Sequence, residues 1–219
     1  MTALGSVSLA TLLAACTRDE VATSSSTFDG AATCTLALEQ TEGPFYFDVD
    51  QVRSDIREDR EGTTLRLAMR VQEAAACTPI ADSIVEIWHC DAAGLYSGFE
   101  SASQGAGGGV SPSDTETYLR GAQVTNAEGL VEFTTIYPGW YPGRTPHVHF
   151  KVHVDNASSL TSQLYFDDAL SDAVYEDPPY EPGRDASNDD DGIFDPSLVM
   201  TLSADGDGYR GLMTVGVTA

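Results

Sequence analysis

The chain has 219 residues, a length that all-β folds commonly devote to a single domain with a sizeable core. Its 11 Lys and Arg stand against 34 Asp and Glu, a formal net charge of −23 that repels phosphate backbones and anionic lipid surfaces. A nucleic-acid partner is disfavoured on that ground. The imbalance is concentrated: positions 167–207 hold 13 acidic residues and one basic residue, Arg184, which is −12 of the −23. This stretch reads as a solvated acidic face. Two runs within it, Asn188–Gly192 and Asp205–Gly208, have calcium-loop composition but lack the EF-hand spacing and its terminal Glu.

Residues 1–16 read as a processing segment. Met1–Ala15 is small and apolar, too short to span a bilayer, and runs into Leu13-Ala14-Ala15-Cys16. That ending resembles a bacterial lipoprotein signal, in which Cys16 would accept lipid; an ordinary cleaved signal peptide is the alternative. Either places the mature protein outside the cytoplasm, with lipid as its one membrane attachment. Residues 17–33 are polar, without hydrophobic period, and form a flexible tether to a domain over 34–219. An oxidising compartment allows one disulfide among Cys34, Cys77 and Cys90. All three pairings are open, but Cys34 with Cys77 is favoured because both lie in loop-like sequence. Cys90 ends an apolar run and reads as buried.

From Thr63 onward the chain is a series of short β-like runs: 63–71, 83–90, 118–125, 130–136, 146–154, 198–203 and 209–217. Asn126-Ala-Glu-Gly129 suits a hairpin turn, and Asp168–Tyr175 can form a short helix. About seven strands at this spacing predict an all-β sandwich. Ser97–Ser113, with its Gly105–Gly109 run, and the Pro-containing acidic run Tyr175–Asp195 read as excursions at the mouth of a site or as decoration.

The segment Ile136–Val154 organises the rest. Three of the four histidines, His147, His149 and His153, fall on one predicted strand. His147 and His149 project to one face about 7 Å apart along the chain, while Val148, Phe150, Val152 and Val154 take the other. Upstream, Tyr137-Pro-Gly-Trp-Tyr141-Pro-Gly-Arg144 is a double turn that re-aims side chains at the strand's mouth. Two imidazoles can share a metal but do not close a site. Tyr141 and Tyr96 are the further candidates, since a phenolate is a hard anionic donor suited to Fe(III).

The blocks Glu42–Tyr46, Val85–Ser97, Leu119–Gly121 with Gln123, and Thr135–His149 resemble, in order, the intradiol ring-cleavage dioxygenases, the family of catechol and protocatechuate dioxygenases, most nearly its exported branch. The resemblance spans roughly Cys34–Phe166. It implies a non-haem Fe(III) held by Tyr96, Tyr141, His147 and His149. It places Arg144 beside the substrate and Gln163 in the lining of the same pocket, and leaves His89 and His153 structural or surface roles. The implied reaction is intradiol cleavage of a small catecholic substrate by O2 to a muconate-type diacid. In it Tyr141 yields its place to the substrate and takes up a proton, and Arg144 stabilises developing negative charge.

Two other readings compete. A cupin-like oxygenase also uses His-x-His on a strand, with a Glu and a third His that His89 or His153 would have to supply. A non-catalytic cell-surface sandwich would use the Tyr and Trp residues as a binding platform. The acidity of the chain favours neutral catechols over aromatic acids.

Overall fold

The computed structural model describes residues 34–103, 111–155 and 157–218. The proposed lipid-bearing Cys16, the tether and the Gly105–Gly109 run lie outside the described residues.

Eight strands form two four-stranded sheets. In chain order they are β1 (Thr64–Glu73), β2 (Ile84–Trp88), β3 (Arg120–Val124), β4 (Leu130–Ile136), β5 (His147–Val154), β6 (Ala157–Tyr165), β7 (Leu202–Asp205) and β8 (Gly208–Val217). One sheet runs β4-β1-β8-β7 and the other β3-β2-β5-β6. All neighbouring pairs are antiparallel except β1 with β8. Alternation decides which residues enter the core: Leu65, Leu67, Met69 and Val71 of β1 join Val85 and Ile87 of β2 and Val148, Phe150 and Val152 of β5 in one buried apolar cluster. The fold is the predicted all-β sandwich. The opposite face of β5, carrying His147 and His149, is then free for a site.

Three elements differ from the sequence reading. β6 was not anticipated, because its Ser, Thr and Gln content hides the alternation; polar Ser162 and Gln163 are buried all the same, bonded to Leu38 and Thr41 backbone oxygens. The strand expected over 198–203 begins only at Leu202. Pro196 and the cap that Asp195 places on the Ser197 amide instead turn Pro196–Leu198 into a 3-10 helix. The region expected to be loop at 97–113 contains α1 (Glu100–Ser103). The helix over Asp168–Val174, α2, forms with Asp167 as its N-cap, accepting from the Leu170 amide. Asp205-Gly-Asp207-Gly closes the β7–β8 hairpin, with Gly206 at φ 61°.

Cys34 and Cys77 form a disulfide between Cα atoms 5.1 Å apart, and Cys90 is free and buried. Beyond Cys34 the chain runs along β8 and then β6: the Ala37 amide donates to Gly216 and the Gln40 amide to Thr161. That path brings Gln40–Phe45 over the histidine face of β5.

Candidate active site and metal centre

Tyr96 reaches the site from a tight turn after β2. Asp91 shapes the turn by accepting from the Ala93 and Leu95 amides through Oδ1. Gly94 sits at φ 79°, and a Cβ there would lie 2.3 Å from the Trp140 carbonyl oxygen. A Cβ on Gly139 would meet the Asp91 and Ala92 carbonyl oxygens at 2.5 Å. The two glycines let the Tyr96 turn and the Trp140-Tyr141 segment touch backbone to backbone. Tyr141 and Arg144 are the two ends of a β-turn with Pro142 first inside it and Gly143 second at φ 81°, the pattern of a type II turn.

The donor atoms converge. Tyr141 Oη lies 3.0 Å and Tyr96 Oη 3.4 Å from His147 Nε2, which is 3.1 Å from His149 Nε2. Tyr96, His147 and His149 are buried, and Tyr141 is partly exposed. His147 Nδ1 is 2.7 Å from the Thr145 carbonyl oxygen, which only accepts, so Nδ1 carries the proton and Nε2 presents its lone pair. That single lone pair faces three polar neighbours and can satisfy one of them. A cation among the four atoms would accept from all, and donor separations of this size suit one first-row ion with bonds of about 2 Å. His149 is held from both sides: its ring stacks on Trp88 at 5.0 Å, and a Cβ on Gly43 would come within 3.2 Å of its Cε1. Phe45 packs on Tyr96 at 4.8 Å.

Burial sets the protonation states. It lowers His147 to about 3, with the Arg144 charge adding to the effect, and takes His149 well below its ordinary value; both are neutral imidazoles at physiological pH. Burial also pushes both phenols above their usual range, so a neighbouring cation is needed to hold them ionised. Among the described residues no three His, Cys, Asp or Glu side chains gather to hold a metal, because here the donors beyond the two imidazoles are phenols.

Arg144 borders the centre. Its Nη2 donates to Gln163 Oε1 at 2.6 Å and its Nε to Asp191 Oδ2 at 2.8 Å. Gln163 is fixed in turn by its amide, which donates to the Thr41 carbonyl. The same Asp191 oxygen accepts from the Thr145 amide, and Thr145 Oγ1 donates to Asn188 Oδ1. Asp191 is the residue that sequence reasoning missed. It belongs to the run read as a solvated face that either borders the mouth of a site or is decoration, and nothing local separates it from Asp189 and Asp190. The first alternative agrees with the bonds that tie the run to the site segment: Trp140 Nε1 to the Glu181 oxygen, the Gly143 amide to Asp185, and Tyr180 Oη to the Tyr137 oxygen.

The remaining histidines face elsewhere. His89 is buried, with its ring nitrogens on the Cys90 oxygen and Thr135 Oγ1, and His153 bonds Glu86. Neither supplies the third imidazole that a cupin-like centre requires.

The family model described as "Dioxygenase" matches residues 41–180. The catechol 1,2-dioxygenase 1 of Acinetobacter lwoffii is 32% identical over 104 residues, covering 39% of this chain and 30% of that protein. The protocatechuate 3,4-dioxygenase beta chain of Burkholderia cepacia is 35% identical over 118 residues, 49% of this chain and 47% of its own. The chain thus spans less than half the length of these curated relatives. Among solved structures, an intradiol ring-cleavage dioxygenase from Tetranychus urticae superposes with a TM-score of 0.79 at 33% identity, over 84% of this chain and 95% of that one. The dioxygenase domain of a carbohydrate-binding fusion from Streptomyces gives 0.63 at 28% identity, over 84% and 99%. With the matching residues spanning the turn of Tyr96, the turn of Tyr141 and both histidines of β5, the chain belongs to the intradiol ring-cleavage dioxygenase family.

Proposed function

We propose that the protein is a non-haem Fe(III)-dependent dioxygenase that opens catechol-type rings between the two hydroxyl-bearing carbons, adding both atoms of O2 to give a muconate-type diacid. The observation that carries this reading is the convergence of Tyr96, Tyr141, His147 and His149 on one point beside Arg144. Fe(III) bound by those four residues would supply Lewis acidity towards the catechol oxygens and draw electron density through the ring.

The residues of the chain divide the remaining work. Tyr96 is enclosed and fixed, its amide donating to Ser103 Oγ, whereas Tyr141 is partly exposed at the end of a turn. Tyr141 is therefore the phenol that gives way to substrate, its oxygen taking a proton from a substrate hydroxyl. Arg144, held by Gln163 and Asp191, presents a preoriented donor to the negative charge that develops on ring and oxygen. Phe45, Trp88 and Tyr96 keep that side of the centre dry, which strengthens each of these interactions. An exported location agrees with the Cys34–Cys77 disulfide, a bond of oxidising compartments.

The test is purification with iron analysis and a visible spectrum, then titration with catechol under O2 and identification of the product. Red-brown tyrosinate absorption and a muconate-type product are expected. A colourless iron-loaded protein, or a product cleaved outside the diol, would overturn the assignment.

A further inference from the structure

We propose that Asp191 is a specificity residue that restricts this site to catechols without an ionised ring substituent, a reading that rests on the function proposed above. A guanidinium beside a substrate pocket would ordinarily invite a carboxylate. Here that capacity is already taken. Arg144 Nε is paired with Asp191 at 2.8 Å, with the Asp191 side chain 1% exposed, and Nη2 is on Gln163. The Tyr165 hydroxyl also bonds the Arg144 side chain, and the Arg144–Asp191 pair as a whole is neutral.

Of the other cations, Lys151 is on Glu42 and over the Tyr46 ring, and Arg184 is held by Asp168 and Asp172. Arg120 turns its Nε and Nη2 to Ser97 and leaves a buried Nη1 without a hydrogen bond, enclosed against the Phe47 and Phe99 rings. Beside Tyr141 lies a cavity of about 270 Å³ lined by Ala92, Ala93, Gly94, Trp140, Pro142 and Glu181 among others, whose one charged side chain is negative. A ring carboxylate, ionised above about pH 4, would find the Arg144 charge already balanced by Asp191. A neutral ring of the same size needs no such partner.

The test compares 3,4-dihydroxybenzoate with its methyl ester, which is slightly larger and carries no charge. Anaerobic equilibrium titration of the iron-loaded full chain gives Kd, and turnover under O2 gives kcat/KM. We expect the acid to be at least about tenfold worse than the ester on both measures, the scale on which an unpaired charge discriminates. Asp191→Asn keeps an oxygen for Arg144 but frees its charge, and should narrow the ratio at least about threefold. Glu132→Gln, an exposed change on the other sheet, should leave the ratio where it was. Equal handling of acid and ester by the wild type would overturn the proposal, as would equal narrowing in both variants. If Asp191→Asn does not fold, Asp191→Ser takes its place in the same comparison, and a ratio it leaves at the wild-type value would overturn the proposal. Failure to cleave any catechol would instead sink the function proposed above, and Kd for acid and ester would still judge this one.

Discussion

Asp191 Oδ2 accepts from both Arg144 Nε and the Thr145 amide, so one buried carboxylate from the acidic run fixes the side chain at the turn's end and the backbone that leads into β5. Burial alone would raise the Asp191 carboxyl, but the Ile193 amide and Arg144 outweigh it and hold it below the usual range. The stability it contributes is therefore present at neutral pH and is lost as pH falls below the ordinary carboxylate range, through its folded value. Asp191→Ala should cost about 3 kcal/mol, towards the lower end for a buried pair because Arg144 keeps some solvent contact. Denaturant melts would show the loss, and kcat should fall even where the variant remains folded, since Arg144 no longer has its orientation.

Much of the site could be read before the fold was known, for a physical reason. His147 and His149 share a face because strand alternation is fixed, and Tyr141 and Arg144 meet because Pro142-Gly143 dictates the turn. Tyr96 and Tyr141 are candidates as hard anionic donors, whereas the roles of Arg144 and Gln163 come from the family resemblance. Local pattern carries no such signal for Asp191 or Asn188, whose roles exist only because a run about 40 residues downstream folds back over Thr145. β6 was missed for a related reason. Its buried Ser162 and Gln163 are satisfied by the segment entering from Cys34, a partner invisible to a window of sequence.

His89 makes a separate acid-sensitive element. Its ring is enclosed between the Cys90 oxygen and Thr135 Oγ1, and burial lowers it from 6.5 to about 4. A histidine kept neutral by the fold stabilises it fully above pH 6.5; the contribution is lost as pH falls from 6.5 through 4, in total about 3 kcal/mol at 1.36 kcal/mol per pH unit. Urea titrations at pH 7 and pH 4 should show this slope in the wild type and a shallower one in His89→Gln. Equal slopes would remove His89 from the account.

Cutting the Cys34–Cys77 bond should act on stability and on the site wall together. The bond joins residues 43 apart in sequence, a loop for which chain entropy gives about 4 kcal/mol and measured disulfides about 2–4 kcal/mol. Cys34 also starts the segment whose Gln40 accepts from Tyr165 Oη and whose Thr41 carbonyl holds Gln163. Cys34→Ser should lower the melting temperature, and should raise KM more than it lowers kcat, because substrate lining loosens while the four proposed ligands stay in place.

Backbone contact between the two tyrosine turns predicts a strong effect from one methyl group. Gly94→Ala would place a Cβ 2.3 Å from the Trp140 oxygen at a φ of 79° that L residues rarely adopt, costing about 2 kcal/mol or more. The strain falls between Tyr96 and Tyr141, so iron per chain should drop along with the tyrosinate absorption. Full iron occupancy with an unchanged spectrum would show that the turns are not coupled through this contact.

The two phenols should separate in their single substitutions. Tyr96→Phe removes a donor that is fully buried and closed off from water, so iron retention should fall first and activity with it. Tyr141→Phe removes the partly exposed one and leaves Tyr96, His147 and His149; iron should stay, while turnover drops about a hundredfold or more for want of the oxygen that receives the substrate proton. Iron content and kcat measured on both variants give a two-by-two comparison. Retained turnover in Tyr141→Phe would remove Tyr141 from the proton transfer, and retained iron in Tyr96→Phe would show that three donors suffice whichever phenol is lost.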